Sequence, residues 1–501
     1  MEKTIELINE RIRDGNAVVV TAERMPEVVA ELGEEGALAE VDVVTTGTFG
    51  AMCSSGAFLN FGHADPPIRM ERVWLNDVEA YGGLAAVDAY IGATQQSETR
   101  RDQYGGAHVI EDLVSGRRVE LRGSSRGTDC YPRRTIRTEL GIEDLNQAVM
   151  LNPRNAYQRY NAAINTTDRV LHTYMGMLLP NGGNITYSGA GVLNPLSNDP
   201  SLRFIGPGVP ILLGGAEGMV VGEGTQASPA GGFGTLMVSG DLKAMKPEYL
   251  RAATMHGYGV TLYVGLGVPI PILDLEAVRA TAVTDADIDV DVVDYGIPSR
   301  GRPALKRVSY ADLRSGRVEL NGEEIPTSPL SSFRMARQVA SVLAERVASG
   351  EMTLALPTRR MDPTRAARPM RETGQAPRVR DIMDRTPVSI TGDQPVTAAA
   401  AKLLRGETNH LVVLDADGRL TGVVTTFDIS KAVLRPEKAK SVADVMSRRV
   451  VTTAPDEAVD IAAQKLERNN ISALPVLDGD RRVVGMLTGT NLSKLIGRGR
   501  K

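Results

Sequence analysis

The chain has 501 residues, enough for roughly three domains at about 150 residues each. With 42% hydrophobic and 24% charged residues and a formal net charge of -4, it reads as a soluble globular protein with no electrostatic reason to bind nucleic acid. Two cysteines exclude a disulfide framework. The opening "MEKTIELINERIRDGN" has no apolar signal core, and "VTLYVGLGVPIPIL" is too short and too broken by Gly and Pro to span a bilayer. A cytoplasmic protein with reduced thiols is expected.

In chain order, "AVVVTA" from Ala17 predicts a strand and "PEVVAELGEEG" a helix. "VDVVTTG" from Val41 predicts a second strand, leading into the loop "TGTFGAMCSSGAF" that holds Cys53. "VIEDLVSG" predicts a helix and "RRVELRG" a strand, followed by "SSRGTDCYPRR", which holds Cys130. This alternation predicts an α/β fold for the first 355 residues. Ligands of open α/β sheets gather beyond the carboxyl ends of strands, so two strand-end thiols are expected to share a site.

Arg126, Arg133, Arg134 and Arg137 flank Cys130. Neighbouring cations lower a thiol pKa, and guanidinium groups hold carboxylates bidentately. The loop therefore suits a nucleophilic sulfur acting on a small acidic substrate, with Arg126, Arg133 and Arg134 as substrate-binding groups. A small apolar residue in a loop that happens to be basic is the equal alternative. Asp129 would orient a partner or start a turn. His63 and His108 are expected to be solvent-facing or core residues rather than acid-base groups. No metal-ligand spacing occurs, and no metal is expected.

Residues 181–240 are dense in glycine without a Walker or convincing GxGxxG motif, so tight turns between short buried strands are at least as good a reading as a cradle for phosphate or carboxylate. "YADLRSGRVEL" at Tyr310 echoes "IEDLVSGRRVEL" at Ile110, and coincidence is the favoured reading. Residues 356–378 are rich in Arg and Pro and read as a linker.

An ungapped repeat follows, with 379–437 as its first copy and 441–499 as its second. Met383 matches Met446 and Asp428 matches Asn491, each 63 residues on. Each copy predicts an extended piece, a helix (Val396, Ala400, Leu403 and Leu404 in the first), two strands about a turn, and a final helix. Such copies are expected to pack as a pseudo-symmetric pair. "DIMDRTPVSI", "ALPVLD" and "GVVTTFD" resemble the cystathionine-beta-synthase (CBS) domain. The resemblance implies an adenosyl ligand such as S-adenosylmethionine, AMP or ATP, held by Thr425 and Asp428. Its second site would use Thr488 and Asn491, where the charge is lost. A pair that only packs and dimerises is the competing reading.

"GTFGAMCSSGAFLNFGH", "VELRGSSRGTDCYPRR" and "NITYSGAGVLNPLSND" resemble the homocysteine biosynthesis family, the L-aspartate semialdehyde sulfurtransferases, over about residues 1–355. The resemblance implies that sulfide sulfur is placed on aspartate semialdehyde through a persulfide at Cys130. It implies no cofactor bound in the catalytic domain and electrons from a small ferredoxin-like iron–sulfur partner. Cys53 matches a second family cysteine, and a resolving role through a disulfide is the hypothesis for it. A homo-oligomer is expected, with the CBS pair as a dimer contact. The alternatives are a CBS adenosyl sensor or scaffold with structural cysteines, and a CBS-containing nucleotide dehydrogenase.

Overall fold

The computed structural model describes residues 3–298, 301–368, 370, 377–434, 437, 439–480 and 482–498. They form two compact units that divide between Arg368 and Pro369. No helix among the described residues is long and apolar enough to cross a membrane.

Helices and strands mix in the first unit, as the alternation predicts. The strand Val19–Thr21 leads into the helix Met25–Glu40, and the strand Val43–Thr45 follows. The helix Gly106–Val114 buries Ala107, Val109, Ile110 and Leu113 along one face and leads into the strand Val119–Ser124. The largest sheet, however, is antiparallel throughout. Its nine strands run in the order Leu250–Met255, Gly259–Gly267, Pro210–Leu213, Ala216–Glu223, Leu236–Asp241, Gln147–Asn155, Gly56–Asn60 and Asp88–Gly92, with Thr48–Ala51 also paired to Gly259–Gly267. Tight connections replace crossover helices. Gly214 and Gly215, both at positive φ (57° and 81°), close the hairpin between Leu213 and Ala216, as a two-residue loop of the primed type requires. The glycine-dense stretch thus makes turns here. The strand-end rule for parallel sheets does not govern this one.

A second antiparallel sheet of six strands carries Val119–Ser124 beside Thr135–Leu140 at its edge. A third contains Ala162–Ile164, Asp289–Asp294 and Arg317–Leu320. The two echoed segments are both helix-turn-strand pieces, but they enter different sheets. The later strand closes tightly through Asn321 and Gly322, whereas the earlier one opens into the ten residues 125–134 that include Cys130.

The helix Phe333–Ala348 fixes the approach to the Cys53 loop. Ser332 caps it by accepting the Met335 N–H, and Ala336, Val339, Ala340, Leu343 and Val347 form its buried stripe. It lies directly on the chain at Gly47, where a Cβ would stand 2.2 Å from the Ala336 carbonyl oxygen. Residues 356–368, expected to begin the linker, are bound to this unit instead. Met361 is buried, Thr358 N–H donates to the Pro207 carbonyl at 2.9 Å, and Arg359 pairs bidentately with Glu223 at 2.9 and 3.1 Å. Residues 371–376 of the expected linker lie outside the described residues.

In the second unit each repeat completes the other. Asp384 bridges to Met486 and Ser447 to Val423, while Arg378 bridges to Ala458 and Pro395 to Ser441. Each bridge maps onto its mate under the 63-residue offset. Met383 packs on Gly485 and Met446 on Gly422, so each copy's opening methionine fills a space that the other copy's missing side chain leaves. The predicted helix is Val396–Arg405, with Ala399 and Leu403 buried. Leu404 departs from the expected apolar stripe and is exposed.

Gly47→Ala drives a Cβ into helix backbone that cannot yield. It is expected to destabilise the first unit by on the order of 1–3 kcal/mol, read as a lower urea midpoint.

Candidate active site

Cys130 sits at the exposed tip of the hairpin joining Val119–Ser124 to Thr135–Leu140. Gly127, at φ 80°, and reciprocal backbone hydrogen bonds between Thr128 and Tyr131 shape that tip. Among the described residues, the sulfur's one hydrogen-bond contact is the Thr128 hydroxyl at 3.6 Å.

The flanking arginines are mostly committed elsewhere. Arg126 meets Glu71 at 3.4 Å, Arg133 donates to the Asp65 carbonyl at 2.6 Å, and Arg137 donates to Glu120 at 2.8 and 2.6 Å. Arg134 folds across Gly127 and makes no ion pair among the described residues. Asp129 is exposed. His63 is exposed with its ring 6.0 Å from that of Tyr131. His108 accepts the Gly105 N–H at 3.3 Å at the start of the helix Gly106–Val114, a capping role, and burial lowers its pKa.

Cys53 lies in the loop Met52–Ser55, immediately before the strand Gly56–Asn60. The Cys130 tip stands beyond the other end of that strand, beside residues 63–67. At about 3.3 Å per residue, the strand Gly56–Asn60 alone spans on the order of 15 Å between the two loops. A disulfide needs Cα atoms within about 7 Å. The expected shared site is not assembled here: the two sulfurs lie in loops beyond opposite ends of this strand, each against a different threonine.

The surroundings of Cys53 are dense in polar side chains. Its sulfur is 3.2 Å from the hydroxyl of Thr261, which is fully buried on Gly259–Gly267. Burial pushes the Cys53 thiol up, and the Thr261 hydrogen bond and the Arg154 charge only partly oppose it. Tyr157, Tyr258 and Tyr263 stand close enough for the thiolate charge to raise their pKa values further, beyond the effect of burial; Tyr157 is pushed up to about 12. Tyr174 and Tyr295 join hydroxyls at 2.9 Å, and Tyr160 packs on Tyr157 at 5.0 Å between ring centres.

Sequence reasoning missed this constellation. Arg154, Asn152 and Asn155 lie where Gln147–Asn155 shifts register against Leu236–Asp241. The available signal was "LNPRNAY", since a proline inside a strand marks an edge or a bulge.

In the second unit, Thr425 caps the helix Thr426–Val433. Its hydroxyl accepts the Asp428 N–H at 3.2 Å and donates to Asp428 Oδ2 at 2.7 Å. Thr488 and Asn491 repeat the box, with the hydroxyl donating to Asn491 Oδ1 at 2.6 Å. The two motifs are capping boxes in both copies.

Residues 17–354 match the model of a family described as homocysteine biosynthesis enzyme, sulfur-incorporation, and residues 379–435 and 442–498 match the CBS domain. The chain is 53% identical over 498 residues to the L-aspartate semialdehyde sulfurtransferase of Methanosarcina acetivorans and 48% identical over 510 residues to that of Methanocaldococcus jannaschii, each match covering 99% of both chains. A crystal structure of the CBS domain pair of protein MJ0100, in complex with 5′-methylthioadenosine and S-adenosyl-L-methionine, is 36% identical, covering 25% of this chain and 99% of that one at a TM-score of 0.24. The chain thus belongs to the sulfur-incorporating homocysteine biosynthesis enzymes and ends in a CBS domain pair.

Proposed function

We propose that this chain is an L-aspartate semialdehyde sulfurtransferase that makes L-homocysteine, with Cys130 as the sulfur carrier. The observation that carries the reading is end-to-end identity with two sulfurtransferases of that name. The exposed Cys130 tip supports the carrier role, because a thiol that receives sulfur from a donor has to be reachable.

The chemistry fixes the other participants. An aldehyde, sulfide, two electrons and two protons give a thiol and water. A persulfide's outer sulfur is two electrons more oxidised than sulfide. Sulfide opening a disulfide of Cys130 makes the persulfide without further oxidant and releases a thiolate. In this arrangement the second thiol belongs to another chain or to the sulfur donor, not to Cys53. The persulfide then adds to the aldehyde, and two electrons from a ferredoxin-type iron–sulfur protein and two protons convert that adduct to a mixed disulfide and water. The released thiolate attacks the Cys130 sulfur, freeing homocysteine and restoring the starting disulfide.

The CBS pair is proposed to bind an adenosyl compound at Thr425 and Asp428 and to regulate the reaction through it. Regulation requires different affinity for two conformations. Self-association is proposed through the first copy's final helix and its neighbour, where Leu404, Phe427, Val433 and Leu434 are exposed.

Anaerobic assays with aspartate semialdehyde, sulfide and reduced ferredoxin should yield homocysteine, and Cys130→Ser should fall to background. Mass spectrometry after polysulfide exposure should find one added sulfur on the Cys130 peptide; sulfur found on Cys53 alone would overturn the assignment. Iodoacetamide should label Cys130 first at neutral pH. Labelling of Cys53 should be slow there and should keep rising at pH values above the ordinary thiol range, because its pKa is raised. Asp428→Asn keeps the capping oxygen, as Asn491 does, and removes the charge. It should leave thermal stability within about 0.5 kcal/mol while weakening adenosyl binding by calorimetry; unchanged affinity would count against ribose recognition by Asp428.

A further inference from the structure

Five side-chain polar atoms in the Cys53 loop and in the strand paired alongside it are buried without a hydrogen-bond partner: Ser54 Oγ, Ser55 Oγ, Asn152 Nδ2, Arg154 Nε and Asn155 Nδ2. Asn152 and Asn155 are 0% exposed and Ser55 1%. Leaving one such group unsatisfied costs about 1–3 kcal/mol, more where charge is involved. Native interiors contain few such groups, and five within two short segments call for an occupant. Two of the segments' own contacts fix the aim of these groups. Asn152 Oδ1 accepts the Arg154 N–H at 3.3 Å, and Asn155 Oδ1 accepts the Ala156 N–H at 2.6 Å, which leaves each amide's nitrogen as the free end.

The free groups have a definite chemistry. Three are N–H donors from one bulged stretch, and one of these is cationic. Bulges re-aim side chains and concentrate near active sites. Arg154 forms no ion pair among the described residues, yet its charge reaches both Cys53 and Tyr157. A guanidinium on the same bulged stretch as two free amide donors matches a carboxylate, which supplies the missing charge and acceptors together. Ser54 also faces the Tyr157 hydroxyl, so the Ser55 hydroxyl is the one that remains to accept from an ammonium group.

We infer that Arg154, Asn152 and Asn155 seat the α-carboxylate of the amino-acid substrate, with Ser55 at its ammonium group and its reactive end toward Cys53. This deepens the proposed function, on which the identity of the substrate rests. Aspartate semialdehyde is a four-carbon chain, so anchoring one end at Arg154 leaves the aldehyde within the same polar enclosure as the thiol. The substrate carboxylate is then not held by Arg126, Arg133 and Arg134, two of which already have partners.

The test uses the full chain. Arg154→Gln should raise KM for aspartate semialdehyde about 10- to 100-fold with a much smaller change in kcat and an unchanged thermal midpoint, and Arg154→Lys should recover part of it. Arg126→Gln and Arg134→Gln should leave KM in place. L-homoserine, which keeps the amino-acid end without the aldehyde, should slow alkylation of Cys53 but not of Cys130, and Arg154→Gln should abolish that protection. An unchanged KM in a folded Arg154→Gln, or a raised KM in the Arg126 and Arg134 variants instead, would overturn the seat. Arg154-dependent protection without any homocysteine formation would keep the seat and remove the proposed reaction; homocysteine formation indifferent to Arg154 would do the reverse.

Discussion

One strand, Gly56–Asn60, sets the spacing on which the rest of the first unit depends. It pairs on both sides, with Gln147–Asn155 and with Asp88–Gly92, so it cannot shorten or slip without turning its buried residues outward. Cys53 enters at one end and the Cys130 hairpin stands beyond the other. The same pairing brings Gln147–Asn155 alongside, and that strand carries Arg154 to the Cys53 end. A single rigid ladder thereby separates the two thiols and gives one of them a cationic neighbour.

The separation divides the chemistry. Cys53 is half-buried, and desolvation disfavours its thiolate, so it suits an enclosed seat where the reacting groups are shielded from water. Cys130 is exposed at the tip of a ten-residue connection, so it suits exchange with something arriving from outside. If sulfur is loaded at one and transferred near the other, the hairpin tip has to travel, or a second copy has to present its own tip. The packing of Phe333–Ala348 over Gly47 argues that the Cys53 side is the fixed partner in either case.

Several features were legible because their signals are local. The helix Gly106–Val114, the strand after it and both thiol loops follow from apolar spacing and turn residues. The CBS pair follows from a repeat that keeps its offset even in its cross-copy bridges. What was not legible depends on long-range pairing. Alternating helix and strand signals do not distinguish parallel from antiparallel neighbours, and Gly214–Gly215 decides that by its φ angles rather than by its composition. The arginines near Cys130 looked free in sequence because their partners, Glu71 and the carbonyl of Asp65, come from another segment that pairs alongside. The Cys53 surroundings draw on residues 53–55, 152–157, 174, 261 and 295, which no window of sequence joins.

In the CBS pair, conservation of a motif conceals a difference in what it offers. Both capping boxes use one side-chain oxygen to receive the backbone N–H and the hydroxyl of the capping threonine. In Asp428 that leaves Oδ1, a carboxylate acceptor, without a hydrogen bond among the described residues. In Asn491 the same engagement of Oδ1 leaves Nδ2, a neutral donor. A ribose diol can donate to the first and must accept from the second. The cap fixes the orientation of the amide, because flipping it would set a donor against the Thr488 N–H. The two motifs are therefore chemically inequivalent although their backbones repeat.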